Sequence, residues 1–310
     1  MITYPNIFRE TIEVPYGHGH RQLSVVTAYA SPSFVHHVLY QFEQIHIRLI
    51  IGMTRVAPIP IWEHNQYVEM ANDTSRLQVW YFTGDVPIHA KMLLWDHESN
   101  QSLGFAGSAN FSWNGFHRLG EVMLETRCSE LMEFSIEDND LVECTDPLAL
   151  RTVPMTWREQ ESPQINTDSV GDLLEGCPYV ELSFLSADKV PERSGLNWGQ
   201  REGREPNQAY IPIPRRIHNA MPGFFPSRGR RFTVVADDGQ SFICVIAQDN
   251  DKALETCNDN SILGRYFRHR LDLPLGSEVL RQDLERYGRT DVRMYKIDSD
   301  TYFMDFSRPQ

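Results

Sequence analysis

The sequence predicts two domains of different class: an α/β N-terminal domain, with a mixed sheet flanked by helices, followed by a mostly β pseudobarrel. Three observations carry this. Before residue 130, near-continuous apolar strands alternate with a helical stretch, the pattern of a sheet covered on both faces. After residue 177, the apolar runs are short and set off by Pro and Gly. Charge also changes between the halves: residues 1–176 hold 10 Lys+Arg and 23 Asp+Glu, whereas residues 177–310 hold 19 of each. A length of 310 residues accommodates one large or two ordinary domains.

The elements follow in order. Leu23–Tyr29 reads as a buried strand, and Ala30-Ser-Pro-Ser33 turns into a helix around Phe34–Phe42. Ile45–Ile51 is the next strand and ends at Gly52; Leu77–Phe82, Ile88–Trp95, Leu103–Ala106 and Glu121–Glu125 follow. Glu130–Asp146 is rich in carboxylates and has no basic residue. Residues 147–176, with Pro147, Pro154 and Pro163, read as a connection, so the domains are set at 1–165 and 177–310 with a linker over 166–176. In the second half, Tyr179–Leu185, Ala209–Ile213, Arg231–Val235, Ser241–Ile246, Val292–Ile297 and Thr301–Phe306 read as strands. Asp237-Asp238-Gly239 is a hairpin turn. Leu275–Tyr287 alternates apolar and charged residues at helical spacing, and the chain has no internal repeat.

Composition excludes several classes. Hydrophobic residues at 41% and charged residues at 23% suit a globular protein. No apolar run reaches the roughly 18 residues of a transmembrane helix, and the N-terminus lacks the pattern of a signal peptide. Five scattered cysteines, none in a CxxC pair, point to free thiols in a reducing compartment, hence a cytoplasmic protein. Residues 193–231 hold eight Arg against two Glu, and Arg265, Arg268 and Arg270 form a second basic cluster. Arginine in place of lysine favours planar, bidentate recognition of phosphates or guanines.

The chemistry concentrates in VPIHAKMLLWDHESNQSLGFAGSANFSWNGFHRLGEVML, starting at Val86. His89 and Lys91, two apart on a strand, point to one face. Gly107-Ser108-Ala109-Asn110 then supplies a hydroxyl and an amide, and Glu121 a carboxylate. An imidazole can attack a phosphodiester and form a phosphohistidine that water resolves. Lys91, Ser108 and Asn110 are the residue types that hold the non-bridging oxygens. A second histidine is the usual proton donor to the leaving oxygen, and Glu121 suits the other nitrogen of the nucleophilic imidazole. Asp96 closes a strand. His18 and His20, the pair His36-His37, His97 and His117 are weaker candidates, and GHGH reads as a loop rather than a metal tract.

The HxKxxxxD…GSxN pattern formed by His89, Lys91, Asp96, Gly107, Ser108 and Asn110 resembles the phospholipase D superfamily. The resemblance implies His89 as nucleophile, Lys91, Ser108 and Asn110 as phosphate ligands, and Glu121 as the histidine's carboxylate partner. It implies catalysis without a divalent metal or other cofactor. That family's active site needs two copies of the motif. This chain has one, so the resemblance implies a homodimer in which His89 of one chain is the nucleophile and His89 of the other the general acid. The ten residues between Asp96 and Gly107 exceed the family's common spacing and put the role of Asp96 in doubt.

Asn197-Trp-Gly-Gln-Arg201 and Asn207-Gln-Ala-Tyr-Ile-Pro-Ile-Pro-Arg215 resemble the C-terminal part of the NgoFVII-type restriction endonucleases, in which a nuclease of this kind precedes a B3-like DNA-binding pseudobarrel. The likeness runs in order along nearly the whole chain. It implies two arms gripping the DNA major groove, one at about 193–216 and a second at 226–231 or 258–270. Arg193, Gln200, Arg201, Arg204, Asn207, Arg215, Arg228, Arg230 and Arg268 are the residues expected at the DNA, while Trp198 and Tyr210 read as packing residues. The function that follows is a type II-like restriction endonuclease acting on double-stranded DNA. Two alternatives are a phospholipase or phosphatidyl transferase, and a sequence-specific DNA-binding regulator whose first domain only dimerises. The chain has no GxxxxGK[ST] loop, so any ATP dependence would come from a separate ATPase or helicase subunit.

Overall fold

A computed structural model of the chain describes residues 1–96, 102–126, 136–156, 174, 176–257, 259–297 and 299–308. It divides into two compact units, Met1–Glu161 and Ser162–Gln310. The linker expected over 166–176, together with His97, Cys128 and Pro163, lies wholly or mostly outside the described residues.

The first unit contains β1 (Ile2–Thr3), β2 (Gln22–Thr27), β3 (His46–Ile51), β4 (Ile59–Pro60), β5 (Leu77–Phe82), β6 (Met92–Asp96), β7 (Leu103–Gly107), β8 (Val122–Thr126), β9 (Leu141–Glu143) and β10 (Met155–Thr156). Eight of these form one sheet in the order β1-β8-β7-β6-β2-β3-β5-β9, and β4 pairs with β10. The β2–β3 and β3–β5 pairs are parallel. β2–β6, β6–β7 and β7–β8 are antiparallel, so the sheet is mixed. Val25, Leu49 and Val79 lie in its buried middle.

Parallel neighbours need crossovers. The helix Pro32–Gln41 supplies the first; Pro32 sits in its first turn, where a missing N–H costs nothing, and it buries Phe34, Val35, Val38 and Leu39. The helix Ile61–Asp73 supplies the second and was not anticipated. Its apolar stripe is interrupted by Glu63, Asn65 and Gln66, and it buries His64, Tyr67 and Met70 at helical spacing. β6 begins at Met92, not at Ile88. The β2–β6 ladder runs from Gln22↔Asp96 to Val26↔Met92, which leaves Ile88–Lys91 off the ladder.

The second unit contains β11 (Tyr179–Ser183), β12 (Ile211–Pro212), β13 (Arg231–Ala236), β14 (Ser241–Ala247), β15 (Ala253–Thr256), β16 (Asp291–Lys296) and β17 (Thr301–Asp305). Their order is β11-β16-β17-β13-β14-β15-β12, and the end strands β11 and β12 lie against each other, so the sheet nearly closes. β13 and β17 are parallel; β13–β14 and β14–β15 are antiparallel. Phe232, Tyr266, Phe267, Tyr302 and Phe306 fill the interior. The expected hairpin turn is present, with Gly239 at φ 92° and Ala236 N–H donating to Gln240 O at 2.8 Å.

Two expectations change here. The helix expected over Leu275–Tyr287 covers Arg281–Tyr287 alone. Pro274 and the left-handed Gly276 (φ 79°) break the earlier part, and the Asp283 carboxylate caps the start by accepting from Leu280 N–H at 2.9 Å. Residues 261–270, offered as part of a DNA arm, form the helix Ser261–Arg270, which buries Ile262, Leu263, Tyr266 and Phe267. Among the described residues no helix is long and apolar enough to cross a membrane. Cys144, Cys177, Cys244 and Cys257 are free thiols.

Candidate functional site

Strand register gathers the candidate residues at one end of the first sheet. β6 and β7 pair with Met92 opposite Ala106, and Gly107 N–H donates to Lys91 O at 3.1 Å. β7 and β8 pair with Gly107 opposite Met123, and Ser108 N–H donates to Val122 O at 2.9 Å. The approach is close: a Cβ on Gly107 would overlap the Val122 carbonyl. Gly52 seats the segment that carries His89. Its carbonyl accepts from Ile88 N–H at 3.1 Å, and a Cβ on it would overlap the Ile88 carbonyl.

His89 is exposed and Lys91 is buried. Lys91 Nζ donates to His89 O at 2.9 Å and lies 3.0 and 3.1 Å from the imidazole Nδ1 and Nε2. The lone-pair directions of the two ring nitrogens diverge, so one ammonium cannot be in line with both. It rests against the ring edge or face between them. Burial pushes the Lys91 amine below the usual lysine range, and the nearby Glu121 carboxylate opposes that shift. The sequence pair His-x-Lys therefore becomes a contact in which a positive charge sits beside the candidate nucleophile.

Asn110 is oriented by its neighbours. Tyr29 N–H donates to Asn110 Oδ1 at 3.3 Å, and the Thr27 hydroxyl lies 3.4 Å from the same oxygen. A backbone N–H can meet only the oxygen end of the amide, and among the described residues no hydrogen bond takes the Nδ2 donors, which leaves them for a ligand. Thr27 is buried; its hydroxyl donates to Tyr29 O at 2.8 Å and accepts from Phe111 N–H at 3.1 Å. Sequence reasoning missed Thr27 and Tyr29 because neither belongs to the motif. The turn after the strand Leu23–Tyr29 was the available signal.

Ser108 and Glu121 are engaged with each other. The Ser108 hydroxyl donates to Glu121 Oε2 in a short hydrogen bond and accepts from Val122 N–H at 3.1 Å. Glu121 was expected on the imidazole of His89; among the described residues its side chain accepts from Ser108. The register places Ser108 opposite Val122, the residue next to Glu121, which brings the carboxylate within reach of the hydroxyl. Asp96 lies at the opposite end of β6 from Lys91, roughly 16 Å away at the strand rise, and accepts from Ser102 Oγ at 3.2 Å. It is outside the cluster. A cavity of about 410 Å³ adjoins His89, lined by Phe82, Pro87, Ile88, Ile136, Glu137 and Asp140 among others.

The other histidines divide by burial. His117 lies in the π-helix Asn114–Arg118 just after the GSxN segment. Its ring centroid is 4.9 Å from Phe8, 6.0 Å from Phe34 and 5.0 Å from Trp113. Burial, with the neighbouring His37, pushes its imidazole down to about 3. His37 is buried and packs on Trp113 at 4.7 Å. In the GHGH stretch His18 is exposed and His20 buried.

In the second unit the nine DNA candidates separate into two groups. Arg193, Arg201, Arg204, Arg215, Arg228 and Arg230 are exposed. Arg201 Nε donates to Arg193 O at 2.7 Å, Arg228 lies 3.6 Å from Asp249, and the Arg204 guanidinium stacks 3.8 Å over the Trp198 ring. Trp198 and Tyr210 are buried and pack edge to face at 5.5 Å.

Gln200, Asn207 and Arg268 turn inward and brace the 195–208 segment against the Pro274–Ser277 turn. Gln200 Nε2 donates to Pro206 O at 3.2 Å and Gly276 O at 3.0 Å. Asn207 is buried, donates to Glu205 Oε1 at 2.8 Å and accepts from Gly276 N–H at 2.6 Å. Arg268 is 0% exposed, and its guanidinium donates to four carbonyls: Ser277 O at 2.8 Å, Gly264 O at 3.1 Å, and Leu196 O and Pro206 O at 3.4 Å. With the side chain 0% exposed and four of its five N–H donors on carbonyls, Arg268 presents no accessible edge to a base, which counts against the expectation that it contacts DNA. The cluster 265–270 is also not a free basic face. Arg265 lies 3.5 Å from Glu205, and Arg270 pairs with Asp237 at 2.7 Å.

Two family comparisons match the chain. Residues 8–145 match the NgoFVII restriction endonuclease N-terminal PLD domain. Residues 172–298 match the NgoFVII C-terminal B3-like DNA-binding domain. No curated protein matches the chain. Among solved structures, NucT from Helicobacter pylori aligns at 16% identity and a TM-score of 0.30, covering 42% of this chain and 85% of that one. Polyphosphate kinase from Porphyromonas gingivalis aligns at 16% identity and a TM-score of 0.28, covering 41% of this chain and 18% of that one.

Proposed function

Because the chain belongs to the NgoFVII restriction endonuclease family, a PLD-type nuclease domain followed by a B3-like DNA-binding domain, we propose that it is a sequence-specific, type II-like DNA endonuclease working through a phosphohistidine. The observation that carries the chemistry is the convergence at one sheet end of His89, the Lys91 ammonium at 3.0 Å from its ring, and an Asn110 amide whose oxygen is already engaged. An imidazole, a cation and free amide donors are a nucleophile with a cradle for phosphate oxygens.

In this reading a nitrogen of His89 attacks phosphorus. An N–P bond forms as the bond to the leaving nucleoside oxygen breaks, and that oxygen takes a proton from His89 of a second copy of the chain. Water then attacks phosphorus, gives its proton to the second imidazole, and the N–P bond breaks. Lys91 and Asn110 hold the non-bridging oxygens throughout, so the cradle consists of protein donors and the step is written without a metal. The Ser108 hydroxyl donates its hydrogen bond to the Glu121 carboxylate. It becomes a phosphate donor by releasing that carboxylate, which is then free to turn to an imidazole. One motif per chain supports a homodimer through the N-terminal unit.

The test is incubation of the purified chain with unmethylated plasmid in EDTA, with and without ATP and a cell extract supplying any ATPase subunit. Discrete fragments, absent with His89→Ala, and a covalent DNA–protein adduct that is acid-labile and alkali-stable are expected. A strict magnesium requirement without ATP overturns the metal-free step. Specific DNA binding with no cleavage under any condition leaves a regulator instead.

A further inference from the structure

Tyr29 stands beside His89. The two ring centroids are 6.4 Å apart at 82°, and Tyr29 is 39% exposed. Its backbone is clamped on both sides: the N–H by Asn110 Oδ1 at 3.3 Å, the carbonyl by the Thr27 hydroxyl at 2.8 Å. Ala30 bridges Phe111, and Ser31 N–H donates to Phe111 O at 3.2 Å. The Tyr29 main chain is therefore fixed to the segment that carries Asn110.

We propose that Tyr29 is a stacking platform for an unpaired nucleobase, one sugar away from the phosphate at His89, which gives the nuclease unit its own single-strand subsite. The proposal rests on the endonuclease reading and adds a substrate contact to it. Electrostatics supplies most non-specific DNA affinity, yet residues 1–161 hold 10 Lys+Arg against 20 Asp+Glu, a net charge of −10, and Glu137 and Asp140 line the cavity beside His89. Phosphate attraction is therefore weak on this unit. A base on an aromatic face is a contact that needs neither charge nor a particular sequence. The 6.4 Å between the rings keeps a base stacked on Tyr29 within reach of a phosphate held at His89. In an intact duplex both faces of a base are covered, so the platform takes a nucleotide already unstacked or single-stranded. Base reading stays with the second unit.

The test measures binding of a single-stranded oligodeoxynucleotide to the full-length chain carrying His89→Ala, which stops turnover, across a range of salt concentrations. Adding Tyr29→Ala weakens binding about 5- to 150-fold, matching about 1–3 kcal/mol per stacked base, with the salt slope unchanged, while Tyr29→Phe stays within about twofold. In chains that keep His89, Tyr29→Ala raises KM and leaves kcat within a few-fold. Equal losses for Phe and Ala, no loss for Ala, a fall in kcat with KM unchanged, or no single-strand binding by any variant overturn the platform. A parent chain that shows the stacking effect but cuts no DNA keeps the platform and removes the endonuclease reading.

Discussion

Replacing Arg268 with methionine separates a reading role from a bracing one. Methionine fills much of the volume but has no donor. The Nε and Nη1 bonds, at 2.8 Å to Ser277 O and 3.1 Å to Gly264 O, are full hydrogen bonds; the two at 3.4 Å are weaker. Losing them leaves the Ser277 carbonyl unpaired, whereas Gly264 O keeps the intrahelical N–H of residue 268, so the cost is about 1–3 kcal/mol. A domain holds about 5–15 kcal/mol in total, so the change removes a measurable share of it. Urea unfolding of the full-length chain, followed by circular dichroism, should show a lower midpoint for the transition of the second unit. DNA specificity, measured where the variant remains folded, should be unchanged. The exposed Arg201→Ala is the contrast, with weaker DNA binding and stability within about 0.5 kcal/mol of the parent. The bracing role is refuted if Arg268→Met unfolds at the parent's urea concentration yet relaxes recognition at one base pair by about 1–3 kcal/mol.

Three further outcomes are expected. His117 has its folded-state pKa pushed down to about 3, below the ordinary 6.5, so the unfolded chain binds the extra proton. Its contribution is complete above about pH 6.5 and is lost as pH falls toward 3, by up to about 1.4 kcal/mol per unit. His117→Phe, which suits the surrounding rings, should flatten the dependence between pH 6.5 and 5, and a slope equal to the parent's refutes the assignment. Glu121→Gln removes the carboxylate that accepts from Ser108 and opposes the lowered Lys91 pKa. Cleavage should drop about 10²-fold or more, and single-turnover rates within threefold of the parent count against the role. Neutralising Glu137, Asp138 and Asp140 together should raise non-specific cutting, most strongly at low salt. Unchanged background cutting with random-sequence DNA removes the idea that this surface repels DNA.

Much of the first unit was legible because its strands are long apolar runs and its motif is local. His89 and Lys91 are two residues apart, and one β-hairpin carries the chain from Lys91 to Ser108 and Asn110. The helix Ile61–Asp73 was illegible because polar residues dilute its stripe, and its place follows from the parallel β3–β5 pair that it must join. The helix Ser261–Arg270 was read as a basic arm because Arg265, Arg268 and Arg270 dominate its composition. Its buried side is set by Ile262, Leu263 and Tyr266, and all three arginines are turned to internal acceptors.

The sequence by itself determined the two domain classes, the chemical types available for catalysis and the family likeness of both halves. Tertiary structure decided which polar groups have donors to spare. Gln200, Asn207 and Arg268 carry the same chemistry as the residues that stay exposed. They differ in being held by several partners at once between the 195–208 segment and the 274–277 turn, Arg268 and Leu196 being 72 residues apart. Tyr29 and Asn110 meet across 81 residues, and that contact orients the amide and fixes the tyrosine beside His89. A hydrogen bond is spent or free according to what lies within about 3 Å of it, and for these groups the neighbour comes from a distant part of the chain.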